Sequence, residues 1–281
     1  MQRGFGEFMS SRPMMRVVPT VRLALRANAW RVACLLVGAL VGFGASPPAN
    51  AGVTPVFSRV VMDANESEES LQVFNLNKYP VLVQAWIDDG RIDAGPEKSK
   101  APIIVLPPIF RMSAGEQTTL RLLGAGAALP DDRESLFWLN LYEIPATPAK
   151  VADDAQTVTI TMRTQIKVFV RPERPFAFPA SELPARLGFT LSRRGDALGL
   201  SIDNPTPYHA TIAGLRITVG ERQQDASVDM IAPFSHASVT LGALRGVPGD
   251  GAAVKFELIG DDGNPLVDER RVAIEAPPPG A

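Results

Sequence analysis

Thr157-Val158-Thr159-Ile160-Thr161-Met162-Arg163-Thr164-Gln165-Ile166-Lys167-Val168-Phe169-Val170 alternates almost without a break. Val158, Ile160, Met162, Ile166, Val168 and Val170 share one face, with Thr164 the exception. Thr157, Thr159, Thr161, Arg163, Gln165 and Lys167 share the other. A period of two is the mark of a β-strand. At about 3.3 Å per residue this one spans roughly 46 Å, longer than most strands and longer than a sandwich of about 100 residues needs. Two readings stay open on these residues alone. One is an ordinary long core strand, which composition favours. The other is a strand whose apolar row runs on beyond its own core.

Short β patterns surround it. Phe57–Met62, Leu71–Asn75, Leu82–Ile87, Ile103–Leu106, Thr118–Leu123 and Ser135–Leu141 are each bounded by Pro, Gly, Asn or Asp. Arg171-Pro172-Glu173-Arg174-Pro175-Phe176-Ala177-Phe178-Pro179 cannot sit inside a sheet, so residues 172–180 read as a linker. A second series follows: Leu187–Leu191, Leu198–Ile202, His209–Ala213, Leu215–Val219, Ser238–Leu241, Ala253–Leu258 and Arg270–Ile274. Arg193-Arg194-Gly195-Asp196 is a hairpin-turn signal between the first two. No amphipathic helix of useful length appears. The 281 residues suit a leader and two domains of about 100 residues each. The expected fold is all-β, two immunoglobulin-like β-sandwich domains in tandem over 52–171 and 181–281. The tail Pro277–Ala281 is expected to be disordered.

Residues 1–51 read as a secretory signal. Arg3, Arg12, Arg16, Arg22, Arg26 and Arg31 face one acid, Glu7, ahead of the apolar run Val32–Phe43. That run fits a signal core and is too short to span a bilayer. Pro47-Pro48-Ala49-Asn50-Ala51 is an A-x-A pattern, placing the cut after Ala51. The only cysteine, Cys34, lies in the leader, so no disulfide is expected in the processed chain. The remainder holds 22 basic and 29 acidic residues, a net charge of −7, which argues against nucleic acid as a partner.

Signals of catalysis are missing. There is no G-x-S-x-G elbow, H-E-x-x-H or cysteine pair. His209 and His236 stand without a ligand pattern and read as surface or loop residues. Gly124-Ala125-Gly126 reads as a turn. Asp131-Asp132 and Asp261-Asp262 read as turn or salt-bridge residues, since adjacency in sequence makes no acid/base pair. No enzyme activity, metal, cofactor or small-molecule substrate is expected.

At this point the residues resemble a known family, the periplasmic chaperones of the chaperone–usher pilus pathway. Ser58-Arg59-Val60-Val61-Met62-Asp63 is similar to its first strand, Gln84-Ala85-Trp86-Ile87 to its Trp-bearing strand, and Leu106-Pro107-Pro108-Ile109-Phe110-Arg111 to its Pro-Pro segment. The run from Asp132 to Pro145 resembles its signature. Thr164–Pro172 is similar to the end of its G1 strand, and Asn204-Pro205-Thr206-Pro207-Tyr208 matches in the second domain. The resemblance covers nearly the whole processed chain.

The resemblance implies a function. The chaperone lends its G1 strand to a pilin subunit that lacks its own last strand, then passes the subunit to an outer-membrane usher. This is a form of strand addition. The donor row falls on Val158, Ile160 and Met162. The anchor for the subunit's C-terminal carboxylate falls on Arg59 and Lys167, and an interdomain charge cluster on Glu134, Arg171 and Asp261. The 12-residue segment Ala146–Thr157 suits the family's short-loop branch, which implies rod-like pilins. Asp261-Asp262-Gly263-Asn264-Pro265 departs from the family as a shorter turn. Two charge-assisted contacts contribute roughly 1.5–3 kcal/mol each, and three buried side chains about 1.5–3 kcal/mol each. Association costs about 4–15 kcal/mol, so backbone pairing is needed as well. An unfilled donor strand also implies weak self-association when unloaded. The competing reading is a fimbrial structural subunit or adhesin, which would need a longer N-terminal extension than Gly52–Pro55.

Overall fold

The computed structural model describes residues 52–275, apart from 65, 94, 125, 127, 147–157, 159 and 175. The leader and its cut, Cys34, Ala125, Thr157, Thr159, Pro175, nearly all of the Ala146–Thr157 loop and the tail lie outside the described residues.

The first half carries β1 (Val53–Pro55), β2 (Arg59–Asp63), β3 (Glu68–Asn75), β4 (Val81–Asp88), β5 (Ile103–Leu106), β6 (Ile109–Met112), β7 (Gln117–Gly124), β8 (Ser135–Pro145) and β9 (Met162–Arg171). They form a four-stranded sheet, β1-β3-β7-β5, and a five-stranded sheet, β2-β9-β8-β4-β6. Alternation decides the inner faces. Val81, Val83 and Ala85 of β4, Leu139 and Leu141 of β8 and Ile166 and Val168 of β9 meet Leu71, Val73, Leu120 and Leu122 of the other sheet in one buried cluster. Between β5 and β6 the Leu106-Pro107 peptide is cis.

The second half carries β10 (Gly188–Arg194), β11 (Ala197–Asn204), β12 (Ile212–Val219), β13 (Arg222–Ala226), β14 (Ser235–Leu241), β15 (Gly251–Ile259) and β16 (Pro265–Glu275). A short parallel contact of β10 with β16 joins the layer β13-β12-β15-β16 to the layer β10-β11-β14. Leu191, Leu200, Ile202, Ile217, Val254 and Phe256 fill the space between the layers. The fold is all-β in two tandem domains, as the alternating runs require. One four-residue helical turn, Leu183–Arg186, precedes β10, and among the described residues no strand lies between Arg171 and Gly188.

Several boundaries differ from the sequence reading. Among the described residues the long strand begins at Met162. Its neighbour β8 ends at Pro145, and the last register pair is Met162 with Glu143. β8 runs two residues past that pair, and Val158 and Ile160 stand outside any strand. His209–Ala213 is not a separate strand: a bulge at Ile212/Gly214 lets one strand, β12, continue through to Val219, while Ala210 makes only an isolated bridge to Ile231. Phe57 and Ser58 precede β2. The polar β13 carries no alternation to read. At Arg193–Asp196 the two-residue turn forms as the sequence indicates, with Gly195 at φ 65°.

Both domains are closed by the same polar plug. Asn75 is fully buried, and its Nδ2 donates to the carbonyls of Tyr79 (3.1 Å) and Ser113 (2.8 Å), while Oδ1 accepts from Asn77 N (3.0 Å). Asn204 repeats the pattern, with Nδ2 donating to Tyr208 O (2.7 Å) and Ala232 O (3.0 Å) and Oδ1 accepting from Thr206 Oγ1 (2.6 Å). Buried backbone carbonyls need such partners. Asn204→Ala would leave those carbonyls unpaired, and it should lower stability by about 3 kcal/mol in urea unfolding.

Candidate functional site

The site is organised by the parallel pairing of β2 with β9. That register sets Arg59 opposite Lys167, and β8 places Trp138 opposite Lys167 on the other side. Lys167 Nζ lies 5.6 Å from the Trp138 ring centre. Arg59 is only 7% exposed. Its guanidinium lies over Phe169 and its Nη1 donates to Ile259 O of the second domain, 2.8 Å away. Arg59 Nε is buried without a hydrogen-bond partner. Among the described residues neither cation has a carboxylate within ion-pair distance. Burial pushes both groups below their ordinary values, and the charge of Arg59 lowers Lys167 further. Two desolvated cations side by side, one with an unused donor, form an anion-binding arrangement.

The apolar row leaves the core at the other end of β9. Ile166 and Val168 are buried, whereas Met162, Ile160 and Val158 are 44%, 73% and 84% exposed. β2 pairs β9 only from Lys167 onward. On that side the edge from Met162 to Ile166 carries no strand among the described residues. An open edge and an exposed apolar row thus adjoin the two cations.

Glu134, Arg171 and Asp261 come together between the domains. Arg171 Nε donates to Glu134 Oε1 (2.9 Å), and its Nη1 and Nη2 donate to the two oxygens of Asp261 (2.9 and 2.7 Å). Burial alone would lower the Arg171 guanidinium, but the Asp261 and Glu134 carboxylates outweigh it and raise the group above its ordinary value. The short turn does not keep Asp261 away, because Gly263 takes φ 80° and packs against the residue before Arg59. A Cβ at Gly263 would fall 2.8 Å from Ser58 Oγ.

His209 lies in a loop, one of the two places the sequence reading allowed, but not on the surface. Its side chain is buried, with its backbone N donating to Glu134 Oε2 (2.9 Å) and its Nδ1 3.2 Å from the same oxygen. A lone histidine carries no periodicity, so only the path of the chain after Pro207 reveals this. His236 is exposed on β14. Asp132 pairs with Arg133, and Asp262 caps the turn at Asn264.

A second network escaped the sequence reading. Arg163 Nη2 donates to Asp88 Oδ2 (3.0 Å), its Nε to Asn140 Oδ1 (2.8 Å) and its Nη1 to Ile92 O (2.7 Å). Trp86 Nε1 donates to the same Asp88 oxygen (2.9 Å), and Arg163 stacks over the Trp86 ring. The only sequence signal was Arg163, Gln165 and Lys167 sharing one face. This network fixes the chain one residue after Met162.

Comparison with known proteins agrees with this geometry. Residues 52–175 match the family described as pili and flagellar-assembly chaperone, PapD N-terminal domain, and 182–268 match pili assembly chaperone PapD, C-terminal domain. Chaperone protein FimB/FhaD of Bordetella pertussis is 31% identical over 217 residues, 75% of this chain and 86% of the relative. Chaperone protein FimC of Escherichia coli is 32% identical over 238 residues, 82% of this chain and 89% of the relative. The crystal structure of the YadV chaperone superposes with a TM-score of 0.66 at 29% identity, covering 78% of this chain and 98% of that one. The fold and matches define a two-domain chaperone of the pilus-assembly class. The chain belongs to the PapD-like family of pilus-assembly chaperones, and the fibre-subunit reading is not favoured. Among the described residues no helix is long and apolar enough to cross a membrane.

Removing Arg163 would strand the buried Asp88 carboxylate. Arg163→Ala should cost about 3 kcal/mol in denaturant unfolding, while Arg91→Ala, on an exposed pair, should change stability by less than about 1 kcal/mol.

Proposed function

We propose that this chain works in the periplasm after losing residues 1–51. There it holds pilin subunits by donor-strand complementation and delivers them to an outer-membrane usher. It acts by binding, without catalysis. Residues 52–171 form the strand-lending domain, 172–180 the linker and 181–281 the second domain. Rod-like pilins of the short-loop branch are its clients.

One observation carries the reading. The open edge of β9 stops where β2 begins, and at that stop stand Arg59 and Lys167. An incoming strand in line with β2 would run parallel to β9 and end its chain at the two cations. Its terminal carboxylate would supply the charge they lack and take up the free Arg59 Nε. Val158, Ile160 and Met162 then fill the pilin's groove, and backbone pairing along the edge satisfies groups that would otherwise invite aggregation. The cluster of Glu134, Arg171 and Asp261 holds the second domain so that Ile259 can brace Arg59. Unloaded chaperone is expected to self-associate weakly through the same edge.

Lys167→Ala should remain folded and lose about ten- to a hundredfold in affinity for a pilin or its C-terminal peptide, as expected for one charge-assisted contact. Titration calorimetry measures it, and unchanged affinity would refute the anchor. Ile160→Asp should abolish capture of pilin from periplasmic extracts without lowering the melting temperature, since Ile160 is exposed. For the free protein the Lys167 ammonium deprotonates below the usual lysine pH of about 10.4. Carboxylate affinity should therefore fall on the alkaline side before that pH, and the fall should disappear in Lys167→Arg.

A further inference from the structure

Glu143 is a buried carboxylate, 5% exposed, with no cation within ion-pair distance among the described residues. Its partners are neutral. Oε2 accepts from Val53 N (2.8 Å) and Oε1 from Asn77 Nδ2 (2.8 Å). A buried charge held only by neutral donors is an unfavourable arrangement. Its surroundings converge on one residue. Gly52 N donates to Asn77 Oδ1 (3.0 Å), and Gly52 O accepts from Leu76 N (3.0 Å). Gly52 is itself buried, at φ 95°. A Cβ there would lie 3.6 Å from Glu143 Oε2 and 3.4 Å from Met162 Cε. The groups facing Gly52 are thus Leu76 and Asn77 before β4, Glu143 on β8 and Met162 on β9, and Glu143 is the titratable one among them.

In the full chain the Gly52 nitrogen is an amide. Hydrolysis of the Ala51–Gly52 bond by a leader peptidase adds water across it, leaving a carboxylate on Ala51 and an ammonium on Gly52. We infer that Glu143 and Asn77 form a seat for this α-ammonium. One N–H keeps Asn77 Oδ1, and the new positive charge compensates Glu143. The seat rests on the export and cleavage reading above and is independent of pilin binding. It also fixes the register of processing: one extra residue moves the charge by about 3.8 Å, and one fewer removes the nitrogen. Because Met162 Cε contacts the same spot, the processed N-terminus supports the point where the donor row leaves the core.

Linkage gives the sign. An ammonium stabilised by Glu143 titrates above the ordinary α-amino range of about 7.7–8.0. Its contribution is fully present below that range and is lost as pH rises through the raised value. The test expresses the full chain with its leader, purifies it from the periplasm and measures intact mass. A start at Gly52 is expected, and any other start refutes the cleavage reading and the seat with it. With a Gly52 start, the pH profile of α-amine acetylation is followed by mass spectrometry of the N-terminal peptide. The wild-type amine should titrate above the ordinary range. Glu143→Gln should lower its midpoint by about one pH unit, making acetylation near neutrality about tenfold faster. The same variant should lower the melting temperature by about 2–4 °C at pH 6.5, with the difference vanishing above the wild-type midpoint. A wild-type amine at or below the ordinary range, measured without any substitution, refutes the seat alone, as does a profile that Glu143→Gln leaves unmoved.

Discussion

The pairing of β2 with β9 in parallel, with Arg59 opposite Lys167, is the constraint on which the functional end of the molecule depends. Two like charges are forced onto neighbouring strands and largely removed from water. Left alone, such a pair opposes folding, because desolvation and mutual repulsion both disfavour the charged forms. The ladder holds them regardless, with five register pairs from Arg59 to Asp63 and a buried apolar row beneath. The arrangement leaves these donors already placed, so little reorganisation would remain for an anion that bound there.

The second domain belongs to the same constraint. Arg59 reaches across to Ile259 O, and Gly263 comes so close to Ser58 that a Cβ there would press on the serine hydroxyl. The clamp of Arg171 on Glu134 and Asp261 holds these contacts in register, and His209 and Tyr208 line the same junction. Arg171 immediately follows the last β9 residue in the core, so it shares one strand with Lys167. The interdomain ion pairs are therefore part of the site's geometry rather than surface decoration, which would contribute little.

Alternation made the fold legible. The apolar rows of β4, β8, β9, β11 and β15 were readable because each has one buried face, and the Pro-rich stretch after Arg171 could only interrupt a sheet. Arg59 and Lys167 were legible through family likeness and not through chemistry, since a lone strand cation looks solvated until its neighbours are known. What stayed hidden was polar and long-range. Asn75 and Asn204 sit at the ends of strands where any turn former would read the same. Arg163 finds Asp88 across 75 residues, and His209 finds Glu134 at the same separation. The bulge in β12 hid because a period-two count breaks there and restarts.

The strand that opened the sequence reading is, in the fold, two objects joined at Met162. From Met162 onward it is a core strand with β8 alongside and, from Lys167, β2 on its other edge. Before Met162 the same apolar face continues, at Ile160 and Val158, where both side chains are exposed. The change is set by neither residue type nor propensity, which are uniform across the boundary. It follows the ladder itself, whose last pair is Met162 with Glu143, two residues before β8 ends at Pro145. The length anomaly is therefore an apolar row that runs on beyond the ladder carrying it. An exposed apolar row is a liability for a soluble protein, and here it lies in line with an open edge and a waiting pair of cations. An ordinary core strand would need none of those three features.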